Sequence, residues 1–127
     1  MEITVWHEQG RVDVTVFAIE GDITVESYEQ LQERLEQEQQ HGTENLLIDL
    51  KKVRFISSSG LRAIQHIFSL LEKDNETVRK GITAGTFKSA HLKLVNPSKD
   101  VLHLLKIAGF DMFLEIYDNQ ERAIASF

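Results

Sequence analysis

The segment Leu46-Leu47-Ile48-Asp49-Leu50 is apolar at every position but Asp49. A run this short and this apolar fits a strand buried on both faces, as the central strand of a parallel sheet is. Such a strand needs cover above and below, and parallel neighbours need crossover helices, so this segment points to an α/β fold. The residues after it agree. Lys51-Lys52-Val53-Arg54-Phe55-Ile56 leads into a serine–glycine turn, Ser57-Ser58-Ser59-Gly60. A helix over about 59–72 then places Leu61, Ile64, Ile67, Phe68 and Leu71 on one stripe.

The remainder reads in the same alternation. Residues 3–6 and 12–19 are strand-like, with Val12, Val14, Val16 and Ala18 alternating with Asp13, Thr15, Phe17 and Ile19. Gln9-Gly10 suggests the hairpin between them, and Gly21-Asp22 ends the second strand. A helix over 25–39 carries Val25, Tyr28, Leu31 and Leu35 on one face, with Thr24 as N-cap and Glu26 at the positive end of the dipole. His41-Gly42-Thr43 closes it.

Residues 74–90 hold Asp74-Asn75, Gly81 and Gly85 with little periodicity, and read as a long loop with a short strand near 79–83. A strand over 91–95 is broken by Asn96-Pro97-Ser98. A helix over 99–108 turns Val101, Leu104, Leu105 and Ala108 inward and is capped by Gly109. A strand over 113–117 and a short helix opened by Asp118-Asn119, carrying Ala123 and Ile124, complete the chain. The predicted order is β-β-α-β-α-β-α-β-α. It describes one domain over 1–127, a mostly parallel sheet of four to five strands with four helices and right-handed crossovers.

Composition removes several function classes. The 127 residues include no cysteine, which excludes disulfides, thiol nucleophiles and cysteine zinc sites. The five histidines, His7, His41, His66, His91 and His103, show no metal-ligand spacing, so neither metal nor cofactor is expected. A net charge of −6 argues against direct nucleic-acid binding. Between Glu20 and Glu38 stand seven acids and one base, whereas residues 77–99 hold five bases (Arg79, Lys80, Lys88, Lys93, Lys99) and no acid. These stretches read as two solvated faces or as opposed interaction surfaces. No apolar run approaches the roughly 18–20 residues of a membrane helix, and the N-terminus has no signal-peptide pattern. The expectation is a cytoplasmic protein without membrane insertion.

The serine turn is the one unusual local feature. Serines at a helix start cap orphan N–H groups, which is a sufficient structural reading. The same N–H groups and the helix dipole also favour a phosphate, which adds about −1.5 to −2 charge. At about 100° per residue, Ser58, Arg62, His66 and Ser69 fall opposite the apolar stripe and form an exposed polar strip. Arg62, one turn after Ser58, could meet a phosphate or an acidic partner.

A catalytic reading is weak. The turn lacks the Gly-x-Ser-x-Gly elbow because position 56 is Ile, and His66 shares the helix with the serines. Gly81-x-x-x-Gly85 lacks the Gly-Lys-Ser/Thr ending of a phosphate loop. Trp6 and Phe17 read as sheet packing. No enzymatic activity is expected.

Asn45-Leu46-Leu47-Ile48-Asp49-Leu50, with residues Val53 through Leu61, resembles the signature of the STAS domain family, which includes bacterial anti-sigma-factor antagonists. Ile19-Glu20-Gly21-Asp22-Ile23 resembles the family's second strand and the approach to its first helix. The stretch 92–98, the helix from Val101 to Phe110 and the strand Phe113-Leu114-Glu115-Ile116-Tyr117 resemble its later elements, so the likeness covers nearly the whole chain.

The resemblance implies a partner switch. The unphosphorylated antagonist binds an anti-sigma factor that is also a serine kinase and thereby frees the sigma factor for transcription. Phosphorylation blocks binding, and a phosphatase resets the switch. The family's acceptor serine falls at Ser58, and the partner surface at Ser57, Ser58, Ser59, Gly60, Arg62, His66 and Ser69. The family's aspartate before the acceptor is Ser57 here, which makes Ser57 an alternative acceptor. The basic 74–90 connection is longer than the pattern. The alternative is a STAS subunit of a transport complex or a stress-sensing assembly. A monomer or a weak homodimer through an exposed first-strand edge fits either.

Overall fold

The computed structural model describes residues 1–72, 75–85 and 87–127, with backbone alone at 75–78 and 83. Strand β1 (Glu2–Gln9) turns back through residues 10–12 into β2 (Asp13–Glu20), paired antiparallel from Glu2↔Glu20 to Gln9↔Asp13. Helix α1 (Tyr28–Gln40), β3 (Leu46–Lys52) and α2 (Ser58–Leu71) follow. Helix α3 (Asn75–Ala84), β4 (Leu92–Val95), α4 (Lys99–Ile107), a 3-10 turn (Phe110–Met112), β5 (Glu115–Tyr117) and α5 (Gln120–Ser126) complete the chain. The sheet order is β1-β2-β3-β4-β5, and every pair after the first is parallel.

The apolar run is the middle strand, as its composition demands. Leu46, Ile48 and Leu50 enter the large core on one face, and Leu47 enters a smaller core on the other. Onto the large core pack Leu31 and Leu35 of α1, Ile64, Ile67 and Phe68 of α2, and Val101 and Leu105 of α4. Phe68, Phe110 and Phe113 stack in tilted contacts with centroids 4.8 and 5.3 Å apart. The smaller core joins Val14, Val16, Leu47 and Val95 to Ala123 of α5, with Trp6, Tyr117, Ile124 and Phe127 at its margin. Phe17 and Trp6 pack as expected, the first buried and the second half-buried.

Four expectations are corrected. First, most of the segment read as a loop is helix α3, and no strand forms at 79–83; Asp74 lies outside the described residues. Periodicity failed here because two glycines interrupt it. Gly81 faces Phe87, whose Cβ would lie 2.5 Å from an added Cβ, so the bare backbone admits the returning chain, and Ile82 reaches the core. Gly85 at φ +73 ends the helix in the left-handed region. Among the described residues the α-helix count is therefore five rather than four.

Second, α1 begins at Tyr28, with Ser27 rather than Thr24 at the N-cap. Residues 22–27 form a separate turn. In it Ser27 Oγ accepts from Thr24 N at 2.9 Å and donates to the Asp22 carbonyl at 3.2 Å. These local bonds satisfy the backbone without a helix, and Val25 is left 66% exposed instead of joining the stripe. Third, α4 stops at Ile107, and Ala108 is its exposed C-cap rather than an inward residue; Gly109 follows at φ +81.

Fourth, Lys93 does not belong to a solvated basic face. It is 3% exposed, and its Nζ donates to Ser126 O and Oγ, each at 2.9 Å. Glu115 Oε1 lies 3.5 Å away, and the Phe127 and Tyr117 rings sit 4.9 and 5.8 Å from the ammonium. A buried cation requires such a set of acceptors and ring faces.

Candidate functional site

The serine turn stands at the C-terminal end of the sheet, where β3 hands over to α2. Its position is held by the β2–α1 connection. Ile23 and Ile56 form a parallel bridge, with Ile23 N–H donating to Phe55 O at 2.9 Å and Ser57 N–H donating to Ile23 O at 2.7 Å. Both isoleucines are buried. The turn is therefore tied to the core by main-chain bonds and side-chain packing together.

Ser57 is the N-cap of α2, in extended conformation, and its Oγ accepts from Gly60 N–H at 3.1 Å. Ser58 is thus the first helical residue, one position earlier than the sequence suggests. It is exposed, Ser59 is half-buried and Gly60 is buried. An added Cβ on Gly60 would lie 2.5 Å from Ile23 Cγ2 and 2.9 Å from Ile56 Cγ2, so the residue must be glycine for the turn to seat against the bridge.

The helical ladder begins with Leu61 N–H to Ser57 O at 3.0 Å. The N–H groups of Ser58 and Ser59 precede it and have no acceptor within the helix. No acidic side chain occupies the first turn of α2. The positive end of a fourteen-residue helix is thus open beside an exposed hydroxyl.

Arg62, His66 and Ser69 continue along the exposed side of α2. Two of them are engaged within the fold. His66 Nε2 lies 2.9 Å from Glu36 Oε1 of α1, and Ser69 Oγ donates to Gln65 O at 3.2 Å. Arg62 has no partner among the described residues. Ser58, Arg62, His66 and Ser69 are exposed and lie near one another along α2.

Four neighbours of the turn escaped the sequence reading as site residues. Phe55 and Val25 are 47% and 66% exposed. Asp22 precedes Ile23 and carries a carboxylate oxygen, Oδ1, that is shut off from solvent and accepts no hydrogen bond. Arg54 Nε is 3.9 Å from it. The chain thus places a carboxylate and a guanidinium beside the turn, although position 57 is a serine. Asp22 and Val25 lie more than thirty residues from the serines, so no local pattern marks them, whereas Arg54 and Phe55 directly precede the turn.

Among the described residues no group of three or more His, Asp or Glu is arranged to hold a metal ion. No helix among them is long and apolar enough to cross a membrane.

These features are those of a STAS domain. The sequence matches the STAS domain family over residues 6–79, more than half of the chain, and the protein belongs to that family. Solved structures share its fold. An anti-sigma factor antagonist from Mycobacterium paratuberculosis superposes with a TM-score of 0.74 at 19% identity, over 98% of this chain and 93% of that one. The anti-sigma factor antagonist SpoIIAA in its unphosphorylated form gives 0.66 at 19% identity, over 95% and 93%. The Bacillus cell fate determinant SpoIIAA in the phosphorylated form gives 0.60 at 17% identity, over 95% and 96%. Among curated protein sequences nothing matches significantly.

Proposed function

We propose that the protein is an anti-sigma-factor antagonist whose binding to an anti-sigma factor with serine kinase activity is switched by phosphorylation of Ser58. The observation that carries this reading is the exposed Ser58 hydroxyl at the open positive end of α2, within a STAS chain. A kinase can reach the hydroxyl without unfolding the turn. The phosphoryl group adds about −1.5 to −2 charge where free N–H groups and the helix dipole favour it. Arg62, one turn on and unengaged, is placed to meet that charge or a partner carboxylate. The surface offered to the partner comprises Ser57, Ser58, Ser59, Arg62, His66 and Ser69, with Phe55 supplying apolar area; Gly60, expected on this surface, is buried beneath it and seats the turn.

Ser57 is the weaker acceptor of the two. Its oxygen is committed to the Gly60 N–H, and the residue is half-buried. The group transferred to Ser58 is the γ-phosphoryl of a nucleoside triphosphate held by the kinase; a phosphatase returns the hydroxyl. The protein acts by binding and performs no catalysis. It works in the bacterial cytoplasm, without touching nucleic acid directly, as a monomer or as a weak homodimer through the β1 edge.

The test is a pull-down from the native host's cytoplasm with wild type and Ser58→Asp in parallel, joined to phosphosite mapping of the recovered protein. Capture of a kinase that Ser58→Asp loses, with phosphate on Ser58, supports the switch. Capture of transporter or scaffold subunits by both would move the chain to the alternative STAS role and reduce Ser58 to a helix residue.

A further inference from the structure

The two edges of the sheet differ. β5 is three residues long, whereas β1 runs for eight and pairs with β2 without a shift of register. Among the described residues nothing pairs with the outer side of β1. Thr15 N–H donates to Asn45 O, at the start of β3, at 2.9 Å. Main-chain groups alternate sides along a strand, so Val14, Val16 and Ala18 turn theirs to Glu8, Trp6 and Thr4, their partners in register. The N–H and C=O of Ile3, Val5 and His7 therefore point outward from the edge. A long edge is ordinarily blunted by lysine, proline or a bulge, and β1 has none of these.

The order of side chains along β1 fits a second copy of the same strand. In a two-fold pair, residue i meets residue j of the second copy and j meets i. Opposed side chains of antiparallel strands share a face, so the axis passes through one residue position. Centred on Thr4 or on His7, the pairing overlaps only five residues of β1. Centred on Val5, it sets Glu2 against Glu8 twice, which like charge opposes. Centred on Trp6, it overlaps residues 3–9 and opposes no like charges. Val5 then meets His7 and Ile3 meets Gln9 as hydrogen-bonded pairs, and Thr4 meets Glu8. Trp6 faces its counterpart as a non-hydrogen-bonded pair, the closer kind, with Cα atoms about 4.5 Å apart. The indole stands half-buried at the margin of the smaller core, because α5 packs over β3, β4 and β5. An aromatic pair at the axis covers its exposed side.

We propose that the protein forms a two-fold dimer by antiparallel pairing of β1 with β1 of a second copy, centred on Trp6, so that two five-stranded sheets become one. The proposal rests on the β1-edge homodimer named in the reading above and fixes its register; the phosphoserine switch does not enter it. The serine turn follows β3, two strands in from this edge, and lies outside the pairing, so each copy keeps its own.

Sedimentation equilibrium of the full chain, from micromolar to millimolar concentration at physiological salt, reads the association. The expected result is a reversible monomer–dimer equilibrium, with amide hydrogen exchange of Ile3, Val5 and His7 slowed at the higher concentrations. Thr4 is exposed, so its substitution leaves the core intact. Thr4→Lys should lower the dissociation constant about three- to tenfold by meeting Glu8, and Thr4→Glu should raise it about as much, since each pair occurs twice. A monomer throughout the range, added protection confined to elements other than β1, or a failure of the two Thr4 variants to shift the dissociation constant in opposite directions would each overturn the proposal. Capture of a kinase and phosphate on Ser58 are read independently, so either proposal can fail alone.

Discussion

Ser57 Oγ accepts the main-chain N–H of Gly60 at 3.1 Å, the hydrogen bond that starts helix α2. A serine here does what an aspartate would do as a cap, and leaves the carboxylate of the turn to Asp22. Ser57→Ala removes the acceptor and should cost about 1 kcal/mol, whereas Ser57→Asp should restore it. Urea unfolding of the two variants beside wild type measures the difference; equal stability of all three would show that the cap contributes nothing.

Gly60 is the tightest point of the site. Gly60→Ala puts a methyl group 2.5 Å from Ile23 Cγ2 and 2.9 Å from Ile56 Cγ2. Both side chains are buried and have little room to yield. The expected loss is about 1–3 kcal/mol, despite alanine's better helix propensity, and thermal denaturation detects it.

Ser58→Asp should behave in the opposite sense. The new carboxylate sits at the first position of a helix whose first turn has no acid. A gain of about 0.3–1 kcal/mol is expected at low salt, shrinking as ionic strength rises. Denaturant titrations at two salt concentrations check both parts. A large loss would mean that the hydroxyl is needed for packing, contrary to its exposure.

Tyr117 sets an alkaline limit. Burial, then the hydrogen bond to the Glu115 carboxylate, push its phenol above the ordinary value of 10.0. The neutral phenol is therefore favoured by folding. Its contribution is complete below about pH 10 and is lost as pH rises through the folded-state value. Wild type should lose more stability than Tyr117→Phe between neutral pH and about pH 11, as measured by urea midpoints at each pH.

Lys93 ties α5 to the sheet through Ser126 O and Oγ. Lys93→Met keeps most of the apolar stem and removes the donor. A loss of about 1–3 kcal/mol is expected, because acceptors under the last helix are left unmet. Faster hydrogen exchange confined to α5 would locate the effect.

The parts of the fold legible in the sequence are those whose burial pattern is local. The apolar run at Leu46–Leu50 identified the central strand, and the stripe through Ile64, Ile67 and Phe68 identified α2. The serine turn and its polar strip were legible for the same reason, since residues four apart on a helix share a face. Helix α3 was not, because Gly81 is explained only by Phe87 returning across it. The late start of α1 was hidden by a turn whose side-chain bonds mimic a cap three residues too early.

The sequence by itself determined the α/β class, the family, and the placement of Ser58 at an exposed helix start, because each depends on the order of neighbouring residues. Tertiary structure alone decided that Asp22 stands beside the stretch leading into the serine turn, 3.9 Å from Arg54, and that His66 meets Glu36. It alone decided that Lys93 is buried and that the β5 edge is open. Those facts depend on which strands lie side by side and which helix covers which face. Pairing across the sheet joins residues dozens of positions apart, and no local spacing records it.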